Sequence, residues 1–186
     1  MVISPLILIL PIIISSQTIY EDSLYVDGEA LDIFAYQLPD NFDQDATYPL
    51  LIAFHQWGGN HMSTFSTQFD EEANSRSWLY LSPFGGSSNN YNHQGAQFMV
   101  LEEIKWLQDR YNIDSNRIYM VGGSMGGAAG MIFSNNHLNP NEPMIAATAS
   151  ASGILSLDAQ PGDEVPVGQV IAWLLEEGEE PPARSL

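Results

Sequence analysis

Between residues 50 and 151 the chain alternates continuous apolar runs with stretches whose apolar positions recur every three or four residues. "LLIAFH" (50–55) and "WLYLS" (78–82) have no polar face, as expected of strands buried on both sides of a sheet, and "RIYMVG" (117–122) and "MIAATASAS" (144–152) read the same way. Between them, Phe65, Phe69 and Ala73 at four-residue spacing predict a helix within 63–77. Phe98, Leu101, Ile104, Leu107 and Tyr111 predict an amphipathic helix over 96–111, and "MGGAAGMIFSN" (125–135) a helix of small residues. Upstream, "SLYVDGEALDIFAYQLP" (23–39) holds two strand-like stretches around the turn signal Asp27-Gly28. There Leu31, Ile33 and Ala35 alternate with polar or aromatic neighbours, which predicts an antiparallel hairpin.

Strands alternating with helices imply right-handed βαβ units with helices on both faces of one sheet. The expected class is therefore α/β, a mostly parallel sheet preceded by an antiparallel hairpin. In such a sheet the loops leaving the C-terminal strand ends share an edge. Residues 55–61, 83–94, 122–126 and 151–158 are then expected to border one crevice.

The 186 residues are enough for one substantial domain with an ordinary apolar core. Asp and Glu outnumber Lys and Arg 23 to 5, and the resulting charge of −18 repels nucleic acid and anionic membranes alike. With no cysteine there is neither a disulfide framework nor a thiolate metal site. The four histidines are scattered without ligand spacing, so neither a metal nor another cofactor is expected. Asp70-Glu71-Glu72 reads as solvated helix charge, Gly85-Gly86-Ser87-Ser88 as a flexible rim, and nothing in the pattern sets an oligomeric state. The opening "MVISPLILILPIIISS" reads as a signal peptide over 1–16, although no basic residue precedes its apolar run. The expected location is outside the cytoplasm, secreted or periplasmic, with no membrane association after cleavage.

Gly122-Gly123-Ser124-Met125-Gly126 fits G-x-S-x-G directly between a predicted strand and a predicted helix, the context this motif requires. The turn forces Ser124 into a positive-φ conformation that aims its hydroxyl outward. A side chain at 122 or 126 would collide with the neighbouring strand or helix. The following helix brings free N–H groups and partial positive charge to the same place. A phosphate loop would need Gly-Lys-Ser/Thr, which is absent.

On "PLLIAFHQWGGN", "VLEEIKWLQDRYNID" and "YNIDSNRIYMVGGSMGGAAG", the chain resembles the secreted α/β-hydrolase esterases related to polyhydroxybutyrate depolymerases and to feruloyl and acetylxylan esterases. The prolyl-oligopeptidase-like hydrolases are close kin. The resemblance implies a three-layer α/β-hydrolase sandwich acting on a small-molecule or polymeric ester, with Ser124 as nucleophile and Gly122 and Gly126 framing the elbow. It makes the backbone N–H groups of Met125 and Trp57 the oxyanion hole. His55-Gln56-Trp57-Gly58-Gly59 stands where the family has His-Gly-x-Gly-Gly, with Gln56 replacing a glycine. His55, Gln56, Gly58, Tyr91 and His93 are candidate substrate or oxyanion-loop contacts, and His55 is expected to brace the loop.

Family order also demands an acid and then a histidine after the serine. Asp158 and Asp163 follow Ser124, but the last histidine is His137, which along a helix lies about 20 Å away at about 1.5 Å per residue. The expected organisation is a signal peptide (1–16), an incomplete, truncated hydrolase core (17–157) and an acidic tail with a strand pair (158–186). "PGDEVPVGQVIAWLLEEGEEPP" (161–182) resembles the last third of a lipoyl or biotinyl carrier domain. The only lysine, Lys105, lies in the amphipathic helix, so no carrier function is implied. The expectation is a serine esterase weak or inactive as it stands. The alternatives are a prolyl-oligopeptidase-like peptidase and a non-catalytic carbohydrate- or polyester-binding module.

Overall fold

A computed structural model describes residues 17–151 together with two strands beyond them, Ile154–Leu157 and Ala172–Leu175. The expected signal peptide, Asp158, Asp163 and most of the acidic tail lie outside the described residues. Strand β1 (Tyr20–Val26) and strand β2 (Glu29–Gln37) form the expected hairpin, turning through Asp27 and Gly28, both at positive φ. Of the alternating positions expected along β2, Ala35 is buried and Leu31 packs on the main core, but Ile33 is exposed and Phe34 and Tyr36 enter that core as well. Two aromatic rings bury more apolar area than the isoleucine they displace.

Strand β3 (Tyr48–Phe54), β4 (Leu79–Pro83), β5 (Ile113–Gly123) and β6 (Ala147–Ala151) complete a six-stranded sheet of order β1-β2-β4-β3-β5-β6. The pairs β3–β4, β3–β5 and β5–β6 are parallel, and the hairpin joins β4 through an antiparallel pair. The last two strands, β7 (Ile154–Leu157) and β8 (Ala172–Leu175), pair only with each other, antiparallel. That pair straddles the boundary expected at 157.

Helix α1 (Phe69–Ser75) leads from β3 to β4, α2 (Gln94–Gln108) from β4 to β5, and α3 (Met125–Asn136) from β5 to β6. The single helix expected over 63–77 is split. Ser63–Ser66 forms a 3-10 turn, Thr67 is extended, and its hydroxyl accepts the Phe69 N–H at the start of α1. Strand order explains the layering. The β3-to-β4 step runs one way across the sheet while the other two run the opposite way, and right-handed crossovers place opposite steps on opposite faces. Leu50, Ile52, Leu81, Ile118 and Met120 therefore pack beneath α2 and α3, against Ile104, Leu107 and Phe133. The other face carries α1, over Ala53 and Tyr80, with Phe65 of the 3-10 turn packed against the same pair.

Asp70 corrects the expectation of solvated charge: it is buried, and desolvation pushes its carboxyl above the usual range.

Candidate active site

Strand β5 ends in Gly123 and α3 begins at Met125, so one residue, Ser124, makes the reversal. Its backbone sits at φ 52°, ψ −123°, a region costly for any side chain, and the residue is exposed. The turn is pinned on both sides. Ser124 N–H donates to the Ala151 carbonyl at the end of β6 (3.1 Å), and Ser124 C=O accepts from Ala128 in α3 (3.2 Å). Glycine at 126 is a packing requirement, because a Cβ there would fall on the Phe54 carbonyl of β3, and one at 122 would fall on the backbone of Gly126. The helix thereby approaches the sheet closely and delivers the Met125 N–H, which has no acceptor within α3, to the serine's side.

The loop after β3 begins at His55, which is buried, and continues through exposed Gln56, Trp57 and Gly58. His55 lies between two loops: Nδ1 faces the Gln56 carbonyl (2.9 Å) and Nε2 the Phe84 carbonyl (3.0 Å), so the ring bridges the β3 and β4 loops. Gly58 N–H adds a second tie to the Ser88 carbonyl (2.8 Å). Above these ties the rings of Trp57 and Tyr91, both exposed, pack with centroids 5.6 Å apart.

Far from being a loose rim, the segment 84–92 is latched. Asn90 Nδ2 donates to the Phe84 and Ser87 carbonyls (2.9 Å each), and Asn92 Nδ2 donates to the Ala129 carbonyl of α3 (2.7 Å). Tyr91 and Asn92 are both at positive φ, at 45° and 52°. Beneath, Asp32 of β2 accepts the N–H groups of Gly85 (2.6 Å) and Gly86 (3.1 Å), whose own positive φ values turn both amides inward. A small, partly open pocket of about 10 Å³, near the size of one water, lies among His55, Phe84, Gly85, Asn92 and Met125.

His93 is the N-cap of α2, its Nδ1 accepting the Ala96 N–H (3.3 Å). His137 caps the C-terminal end of α3 and stacks on Phe133 with ring centroids 3.9 Å apart; burial holds its ring below the usual histidine range. His61 meets Glu21 at 2.8 Å. Each of the four histidines thus has a partner of its own: backbone carbonyls for His55, the Ala96 amide for His93, Glu21 for His61 and the Phe133 ring for His137. Among the described residues no group of three or more His, Asp or Glu could hold a metal, and no helix is long and apolar enough to cross a membrane.

Sequence reading missed Asp32 and Glu103. Glu103 of α2 is fully buried, and its spacing, three after Val100 and four before Leu107, was the available signal.

A parallel sheet entered by an antiparallel hairpin, with an exposed serine at a strained strand-to-helix reversal, defines the α/β-hydrolase fold, and solved structures carry it. A ferulic acid esterase from Anaeromyces mucronatus is similar with a TM-score of 0.56 at 14% identity, over 78% of this chain and 63% of that one. The same enzyme is also known in complex with ferulic acid. A fluorophosphonate-binding serine hydrolase of Staphylococcus aureus is similar with a TM-score of 0.57 at 14% identity, over 70% and 55%.

In sequence, a bifunctional acetylxylan esterase/xylanase of Neocallimastix patriciarum is 29% identical over 130 residues, 68% of this chain and 18% of that protein. A phospholipase A1-II 1 of Oryza sativa subsp. indica is 38% identical over 55 residues, 30% and 14% of the two chains. The chain thus spans less than a fifth of the curated relatives it matches. No family model matches it.

Proposed function

We propose that this chain carries the nucleophile-bearing part of a serine carboxylic-ester hydrolase, exported by its apolar leader and acting on a small or polymeric ester. The observation that carries the reading is the strained, exposed conformation of Ser124 at the β5–α3 reversal. The Ser124 hydroxyl adds to the ester carbonyl and the Met125 and Trp57 amides receive the oxyanion. The alcohol departs, and water then releases the acid from the acyl-serine. In this reading the base that takes the serine proton is a group other than the four histidines, each of which has a partner of its own in the structure. Turnover by the chain alone is accordingly slow, retaining at most about a thousandfold over water from binding and the oxyanion hole.

The test is hydrolysis of p-nitrophenyl acetate with and without added imidazole, comparing the parent protein with Ser124→Ala. A serine-dependent rate that imidazole raises supports the reading; identical rates for the two proteins in both conditions refute it. The exposed Trp57–Tyr91 pair favours one second reading, a ring-binding module without catalysis, for which ligand affinity is the same in Ser124→Ala. Cleavage of a peptide in place of an ester would move the chain to the peptidase branch.

A further inference from the structure

Glu103 is the fully buried acid of α2, and no N–H or O–H donor of the described residues reaches either of its carboxyl oxygens. Its neighbour is the buried Asp32 of β2, close enough to hydrogen-bond with it. Two carboxyls can bond to one another only when one is protonated. Burial, and then the adjacent Asp32 charge, hold the Glu103 carboxyl well above its ordinary range. Among the described residues, the other charged groups on the elements packed here are paired or exposed. On α2, Glu102 and Lys105 pair with each other at 2.8 Å; β1 packs Leu24 beside Asp32 and leaves Glu21 and Asp22 exposed; the loop after β4 contributes amides.

Asp32 in turn holds Gly85 and Gly86, the preceding carbonyl of Phe84 faces His55 Nε2 at 3.0 Å, and His55 opens the loop that carries Trp57. We propose that Asp32 and Glu103 are positioning residues, a buried pair sharing one proton that sets the oxyanion loop from behind through Gly85, Gly86, Phe84 and His55. The inference rests on reading residues 55–59 as that loop. Glu103 keeps its proton and donates it to one Asp32 oxygen, leaving the remaining lone pairs of Asp32 for the two amides. When Glu103 ionises, two carboxylates face each other and the clamp on the loop loosens.

Amide NMR of the whole chain from mildly acid to alkaline pH tests this. The expected result is that Gly85 and Gly86 resonate downfield and shift with Gln56 and Trp57 in one shared titration. Glu103→Gln abolishes the titration with the glycine amides still downfield, because its side-chain amide still donates to Asp32. Asp32→Asn moves the glycine amides upfield and speeds amide exchange at Gln56 and Trp57 by about tenfold. A parent protein with no shared titration, a titration that survives Glu103→Gln, or Gln56 and Trp57 amides indifferent to Asp32→Asn would each overturn the proposal. Should Asp32→Asn fail to fold, the first two results decide. Failure here with serine-dependent chemistry intact leaves the esterase reading standing; a shared titration without that chemistry supports the clamp and sinks the esterase.

Discussion

The two faces of the sheet are built to different standards. Under α2 and α3, Leu50, Ile52, Leu81, Ile104, Leu107 and Ile118 are fully buried. On the opposite face α1 covers Ala53 and Tyr80, but beyond it Leu51, Trp78, Tyr119, Val121, Ala147 and Ala149 line a groove of about 420 Å³. The lesson is topological: handedness sends two of the three described crossovers to one face and leaves the other with a single crossover helix. The elbow belongs to the sealed face, where Gly126 against the Phe54 carbonyl needs a rigid floor.

Truncation should expose this difference most strongly. Phe133→Ala, beneath α3, is expected to cost about 3–5 kcal/mol, against about 1 kcal/mol or less for Val121→Ala in the groove, measured by urea unfolding. Equal losses would break the comparison. Gly126→Ala comes next: its Cβ meets backbone that cannot yield, with an expected loss of about 3 kcal/mol in the same measurement.

Glu103 sharpens the account of the sealed face through pH. Because its carboxyl is raised in the fold, the folded chain holds a proton that the unfolded chain has released above the ordinary glutamate range. Stability from this group is complete in acid and is lost as pH rises through the folded value. Glu103→Gln should flatten that decline in unfolding curves taken across the pH range. The smallest effect is expected in the groove, where Val121→Lys should weaken binding of a hydrophobic dye while changing stability by no more than about 0.5 kcal/mol.

Much of this architecture is legible in the chain. Continuous apolar runs mark β3, β4 and β5, and G-x-S-x-G between strand and helix locates the elbow, because each depends on a local pattern. Local pattern also misleads: the four-residue spacing of Phe65, Phe69 and Ala73 crosses an extended Thr67 and joins two elements into one. The Asp32–Glu103 pair stays hidden because its partners are separated by two strands and a helix. In "LEEIK" the second glutamate falls at the apolar spacing of α2, but only tertiary packing shows which group meets it there. The latching of 84–92 is hidden for the same reason, since a Gly-, Ser- and Asn-rich stretch states its turns and not its anchors.

The central claim is that Ser124 is a nucleophile. Its most direct test is intact-mass analysis after exposure to a fluorophosphonate in the presence of imidazole, with peptide mapping of any adduct. The account predicts a single adduct on Ser124 that Ser124→Ala abolishes; an unmodified parent protein, or an adduct that persists in the variant, would contradict it.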